Sequence, residues 1–388
     1  MTASANGWAR VQLGDVVRQV RDDVDPKSSG LSRYVAGEHM DTDELRISRW
    51  GEIGDGYLGP AFHRRFRAGQ ILYGSRRTYL RKVARADFEG VCANTTLVLE
   101  SADSQILIPD LLPFIMQTER FHEFSIGKSR GSVNPYVNWS DLTAFPFDLP
   151  PLYEQKRLAD LLWSLEDVRE RWRATQEALR DLSRVSEQRE FGATSDRDMV
   201  SCRDICDLKV GIVVRPASYY VAEGIPAIRS LNVLPNRLDL SELVYISAES
   251  NRLLSKSQLH VGDVVVVRSG RPGDAAAVTP ELEGANCIDL IIVRPGPAIQ
   301  PEYLCRYLNS PVGRSRTHAQ SAGTAQQHFN VGALAALLVP VPTITEQETI
   351  VQELSAVEQQ NRAIDKHLES LRSLQKALKH RFLREQGG

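Results

Sequence analysis

From Phe62 to Ala86 the chain carries Arg64, Arg65, Arg67, Arg76, Arg77, Arg81, Lys82 and Arg85 without one Asp or Glu. Cations packed this densely with no acid between them make a local basic face, the chemistry that phosphate contacts require. The net charge of −2 argues against nucleic acid as a partner but does not exclude it, because local charge decides. The patterns that would carry catalysis are incomplete. Gly127-Lys128-Ser129 has the end of a phosphate loop, but His122 stands where its first glycine belongs. Asn134-Pro135-Tyr136 lacks the second proline of the adenine-methyltransferase signature, and no glycine-rich strand-turn-helix precedes it. There is no Gly-x-Ser-x-Gly elbow and no His-Glu-x-x-His. Cys202 and Cys206 lack the second pair a zinc site needs, and the eight histidines form no ligand-spaced cluster. No cofactor and no metal is expected, and recognition is favoured over chemistry.

At 388 residues the chain is long enough for two or more domains, each with its own core. No apolar run approaches the ~18 residues of a membrane span, so no membrane association is expected. The start shows no secretory pattern, and five scattered cysteines suit a reducing compartment, so the cytoplasm is the expected location.

The elements that must hold the basic face occur twice. Leu149-Pro150-Pro151-Leu152-Tyr153-Glu154-Gln155 is echoed by Val341-Pro342-Thr343-Ile344-Thr345-Glu346-Gln347, about 192 residues on. Ser129-Arg130-Gly131-Ser132 with Asn138 matches Ser321-Ala322-Gly323-Thr324 with Asn330. Gly69-Gln70-Ile71-Leu72-Tyr73 matches Gly262-Asp263-Val264-Val265-Val266. So long a period is a tandem duplication, not a solenoid, whose units run ~20–50 residues. Near two-fold internal symmetry is therefore expected.

Within each copy β-branched runs alternate with Gly and Pro turns. Gln70 to Gly74, Val91 to Glu100, Asp263 to Arg268 and Ile288 to Arg294 read as strands. Pro109 to Phe124 reads as a helix burying Leu112, Ile115, Met116 and Phe121, and Pro301 to Val312 as one burying Leu304 and Leu308. After each Glu-Gln comes a long heptad helix. The first gives the seam Leu158, Leu161, Leu165, Val168, Trp172, Thr175, Leu179 and Leu182. The second gives Ile350, Leu354, Val357, Asn361, Ile364, Leu368, Leu371, Gln375 and Leu378. Two such seams should pack together. Arg169, Arg173, Arg180 and Glu358 would then face outward, free for a partner. Tyr153 to Glu190 would make a rod of roughly 57 Å at 1.5 Å per residue. Antiparallel pairing would put a reader at each end of this ruler.

The fold class expected is α+β: two strand-rich domains joined by two long helices in an antiparallel coiled coil. The boundaries are 1–150, 151–193, 194–342 and 343–388.

The two Pro-rich Glu-Gln junctions, Glu154-Gln155 and Glu346-Gln347, and the order domain, helix, domain, helix resemble the specificity subunit of Type I restriction-modification systems. The resemblance covers nearly the whole chain. Thr343 departs from it, standing where the first junction has Pro151. The resemblance implies that each globular unit is a target-recognition domain for one half of a split double-stranded DNA target. The helices would set the gap and dock methyltransferase subunits, two of them, with restriction-translocase subunits joining that core. The chain itself would be non-catalytic, and adenine methylation would be done by the partners.

On that reading Arg64, Arg65 and Lys82 position phosphates, and Arg76, Arg77, Tyr79 and Arg81 are the first-choice contacts after the Gly74-Ser75 turn. Arg268, Ser269 and Arg271 fill the matching turn of the second copy. The loops Lys128 to Asn134 and Ala325 to Asn330 add Lys128, Arg130, Asn134, Gln326, Gln327 and His328. Arg suits guanine, while Asn and Gln suit adenine. Two other functions stay open: a DNA-reading adaptor of another phage-defence system, and a coiled-coil protein scaffold that binds no DNA.

Overall fold

The computed structural model describes residues 7–192, 199–321 and 329–382. The chain divides into two compact units, Met1–Arg173 with Lys366–Gly388, and Ala174–Asp365. Each long helix contributes a stretch to both.

In the first unit one four-stranded sheet runs Val17–Val20, Thr96–Ser101, Ile71–Gly74, Val83–Arg85, every neighbour antiparallel. In the second the order is Cys206–Val210, Leu290–Pro295, Val264–Val267, Ala275–Ala277, again antiparallel throughout. A second sheet in each unit has one parallel pair, Arg33–Val35 with Gly90–Ala93 and Ile225–Ile228 with Asn286–Cys287. A two-stranded ladder closes each unit beneath its long helix, Ala9–Gln12 on Pro146–Leu149 and Met199–Ser201 on Leu338–Pro340. The two units thus repeat one topology. The paired Gly69 and Gly262 both turn with positive φ, +90° and +86°, which any Cβ would strain. Asn138 and Asn330, also paired in sequence, each sit at the N-cap of a short helix, Trp139–Leu142 and Val331–Ala335.

Several expected elements break where their sequence says they can. Val91 to Glu100 is two strands in different sheets, Gly90–Ala93 and Thr96–Ser101, parted by Asn94-Thr95. Pro109 to Phe124 is a 3-10 turn, Pro109–Leu111, and helix Leu112–Met116, then a second helix, Glu119–Lys128, whose N-cap Thr118 accepts a bond from the Phe121 amide. Leu112, Ile115, Met116 and Phe121 are all buried, so the apolar face is the expected one. Pro311 restarts the matching helix, which ends at Asn309 with Leu304 and Leu308 inside.

The long helices run Leu152–Gly192 and Ile344–Phe382. Both starts are held by the Gln of the Glu-Gln junction. The Gln155 amide donates to the carbonyls of Ile106 and Pro150 and accepts from the Ile108 amide, each at 2.8 Å. The helices are antiparallel in each unit. In the first, Arg169 meets Gln375 and Trp172 stacks edge-on with His367; in the second, Gln176 meets Asp365 and Arg189 meets Glu353.

On the second helix the seam frame stands: Leu354, Ile364 and Gln375 are buried, and Ile350, Val357, Asn361, Leu368, Leu371 and Leu378 are half-buried. On the first helix it holds at Leu158 and is displaced by one residue after it. Leu158, Leu162, Glu166, Arg169 and Gln176 are buried, whereas Leu161, Val168 and Leu182 are exposed and Leu165, Trp172 and Leu179 are half-buried. The cause is a polar layer. Arg169, 2% exposed, donates to Glu166 at 2.7 Å and to Gln375 at 2.9 Å, and reaches Glu44 at 3.3 Å. A buried charge is tolerated only when paired and hydrogen-bonded, and both terminal nitrogens of Arg169 have partners here, while its Nε has none among the described residues. Arg169 is therefore not an outward docking charge. Arg173 is half-buried against Glu44, and Glu358 is tied to Arg306 at 2.6 Å and Arg362 at 3.1 Å; Arg180 is exposed.

No helix among the described residues is long and apolar enough to cross a membrane, and no group of three His, Cys, Asp or Glu among them could hold a metal ion.

Candidate nucleic-acid interface

In the first unit four loops lie side by side, stitched by backbone hydrogen bonds. The Asn94 amide donates to Ala61 at 2.9 Å. The Ser75 amide and hydroxyl both donate to the Thr95 carbonyl, at 3.2 and 2.6 Å. The Val137 amide donates to Ser75 at 3.0 Å, and the Arg77 amide to Pro135 at 2.6 Å. Arg130 and Tyr136 exchange backbone bonds of 2.8 and 2.9 Å across a hairpin that Gly131 turns with φ +94°. The turns after Gly74 and after Lys128, separate in sequence, thus become neighbours on one edge. Along that edge Arg76, Arg77, Tyr79, Asn94, Val133, Asn134 and Tyr136 are exposed.

Arg77 and Arg81 flank the 3-10 turn Thr78–Leu80, and both are left-handed, with φ of 50° and 53°. Non-glycine residues there cost about 1 kcal/mol each, so the surroundings must hold the turn. They do. Arg81 donates to Asp43 at 2.8 Å and, with both terminal nitrogens, to Glu119 at 2.8 and 2.9 Å. That clamp, aided by Lys376 at 3.3 Å, pulls the Glu119 carboxyl down to about 2.

The acid-free run is therefore not acid-free in space. Arg64 pairs with Asp23 and Arg65 with Glu89, each at 2.8 Å. Arg67 pairs with Asp22 at 2.8 Å. Arg85 pairs with Asp110 at 3.1 Å and lies over the Trp163 ring. Lys82 gives its ammonium to the Gly37 carbonyl, and burial, then the charge of Arg77, lowers its pKa. Arg130 pairs with Asp141 at 2.6 Å but stays largely exposed, and Lys128 stands over the Phe124 ring. Of the run, Arg76 and Arg77 are the exposed guanidiniums that form no ion pair with a described residue. Arg64, Arg65 and Arg81 are thus held by ion pairs within the first unit, and Lys82 by a backbone carbonyl.

The same turn in the second unit carries different chemistry. The ladders align Gly74 with Thr96 and Val267 with Leu290, so Arg268 and Asp289 take the places of Ser75 and Thr95. The Ser75 to Thr95 hydrogen bond becomes an Arg268 to Asp289 ion pair of 2.6 Å. The Phe329 amide donates to Arg268 at 3.0 Å, as Val137 does to Ser75. Arg271, half of its side chain exposed, donates to the Val233 carbonyl and pairs with Asp274 at 3.4 Å. Ser269 is half-buried beside it. Gln326, Gln327 and His328 lie outside the described residues.

Asn94 and Tyr136 stand on this exposed edge and were not among the contacts expected from the sequence. The signal for Asn94 was an amide residue, disfavoured in strands, in the middle of a run read as one strand.

Comparison with known proteins finds several likenesses. Residues 6–176 match the model of the Type I restriction modification DNA specificity domain. The chain is 28% identical over 153 residues to the Type I restriction enzyme EcoDI specificity subunit of Escherichia coli, covering 39% of this chain and 32% of that protein. It is 26% identical over 242 residues to the EcoBI specificity subunit of the same organism, covering 53% and 50%. The chain thus spans between a third and a half of the length of these curated relatives. A Type I restriction-modification S subunit from M. genitalium aligns over 100% of this chain and 99% of its own, with TM-score 0.64 and 13% identity. A chain solved in work on complex assembly and conformational transition of the type I R-M system aligns over 98% of both, with TM-score 0.59 and 21% identity. The likeness to Type I specificity subunits read from the two junctions is found again in the family model, the relatives and the fold.

Proposed function

We propose that this chain is the non-catalytic, sequence-reading subunit of a Type I restriction-modification complex. Each unit reads one half of a bipartite target in double-stranded DNA, and the long helices carry two methyltransferase subunits, with restriction-translocase subunits joining where they are present. It works in the cytoplasm, on the cell's own and incoming DNA. The observation that carries the reading is the edge of the first unit. Arg76 and Arg77 stand exposed beside two exposed amides, Asn94 and Asn134, on loops fixed by hydrogen bonds. Such a surface combines phosphate positioning with groups able to read base edges. In the second unit the equivalent turn bears Arg268 and Asp289, which suits a half-site of different sequence.

Partner docking is supported by the first long helix. Leu161 and Val168, one heptad apart in the first unit, are 42% and 37% exposed, apolar side chains beside the buried seam. Apolar stripes of this spacing on a helix suit a packed partner.

Methylation mapping in cells that carry this chain with its neighbouring methyltransferase tests the reading. A split motif that disappears on deletion of this chain is the expected result. A methylome unchanged by the deletion would overturn it and favour the scaffold.

A further inference from the structure

We propose that Asn94 is a specificity-determining residue of the first unit, reading an adenine through its side-chain amide; this rests on the DNA-reading role argued above. An amide both donates and accepts, and only adenine offers the matching acceptor N7 and donor N6 side by side in the major groove. Three observations single out Asn94. Its side chain is exposed and bonds to no described residue, so its donors and acceptor are free. Its backbone is fixed on both sides: its own amide is held by Ala61, and Thr95, next to it, takes two hydrogen bonds from Ser75. Thr96, one residue further, is buried and in ladder with Gly74. A base reader needs such a mount, because a side chain on a drifting loop loses the geometry that discriminates.

Its place also fits. Ser75 links Thr95 directly to Arg76 and Arg77, so the amide stands one loop away from the free guanidiniums. Phosphate contacts from those arginines would set the register in which Asn94 meets a base edge. Asn134 is exposed as well, but it lies in the hairpin loop closed by Arg130 and Tyr136, whereas Asn94 joins strands of two sheets. In the second unit the position of Asn94 is taken by Ile288, which is 5% exposed. The adenine-reading amide therefore belongs to one half-site alone.

The test is selection of bound duplexes from a library with randomised bases, using the full chain and the variants Asn94→Ala and Asn94→Asp. The wild type selects a split motif. Both variants lose preference for adenine at one position of one half-site by about tenfold or more, with every other position unchanged and, in the uncharged Asn94→Ala, the salt dependence unchanged. An unchanged motif in both variants overturns the proposal while leaving the DNA-reading role intact. So does uniform weakening of Asn94→Ala with a shallower salt slope, which assigns Asn94 to a phosphate. A wild type that selects no motif overturns the reading role itself, and the proposal with it. Thermal unfolding of the variants at the wild-type temperature excludes damage to the fold.

Discussion

Gln155 and Gln347 make the same three hydrogen bonds. Gln347 donates to Ala298 and Pro342, at 2.9 and 2.8 Å, and accepts from the Gln300 amide at 2.8 Å. These partners stand at the offset from Ile106, Pro150 and Ile108 that separates the two glutamines themselves. Both side chains are buried, at 1% and 0% exposure. The repeated junction is thus a plug: the first turn of each long helix is fastened to the chain entering the helix that packs beneath it.

Replacing either plug by leucine should destabilise its own unit by about 2–4 kcal/mol, since two carbonyls and an amide lose their partner in a buried place. Denaturant unfolding of Gln155→Leu and Gln347→Leu measures this. A loss below half a kcal/mol in both would mean that water serves these groups equally well.

Reversing charge at Arg76 and Arg77 should weaken duplex binding at least tenfold and lower the salt slope by about 2, the loss of two phosphate contacts. Co-purification with the methyltransferase should be unaffected, because neither residue lies on a long helix. Affinity titrations at several salt concentrations decide it.

Acid should release the clamp under the turn Thr78–Leu80. Glu119 is held near 2 by the hydrogen bonds from Arg81, against 4.5 for a free glutamate. A carboxyl with a depressed folded value contributes stability fully above about 4.5 and loses it as pH falls toward 2. Glu119→Gln should therefore be less stable than wild type at pH 6, with the difference shrinking across pH 4.5 to 2. A gap that stays constant down to pH 2 would refute this assignment.

The polar layer makes an asymmetric prediction. Arg169→Met alone leaves Glu166 buried without its cation and should cost about 3–5 kcal/mol. Replacing Glu166, Arg169 and Gln375 together by apolar residues of similar size should recover most of that loss. Unfolding of the single and triple variants gives the comparison.

Removing one heptad from both long helices should change the gap of the methylated motif and leave its two halves intact. Complete loss of sequence preference would argue that the helices do not set spacing.

The architecture was legible because duplication writes each element twice. The junctions, the strand at Gly69-Gln70-Ile71 and its partner at Gly262-Asp263-Val264, and the heptad frame of the second helix were all visible without coordinates. The first helix misled because hydrophobic periodicity ranks Leu161, Leu165 and Val168 above Glu166 and Arg169. Burial of the charged pair depends on Glu44 and Gln375, which lie far off in the chain and leave no local trace. The same blindness inflated the basic run. Asp22, Asp23, Asp43, Glu89, Asp110 and Glu119 are remote in sequence from the arginines they neutralise, so counting cations could not tell Arg76 from Arg64.

The exposed edge of the first unit has a consequence for how such a molecule changes over generations. Arg76, Arg77, Asn94 and Asn134 belong to no core cluster and form no salt bridge with a described residue, while the loops beneath them are tied through main-chain atoms. Surface substitutions of this kind shift stability by only about half a kcal/mol. On the proposed reading, the residues that would choose the target and those that keep the protein folded are separate sets, so a lineage could drift to a new recognition sequence without passing through an unfolded ancestor.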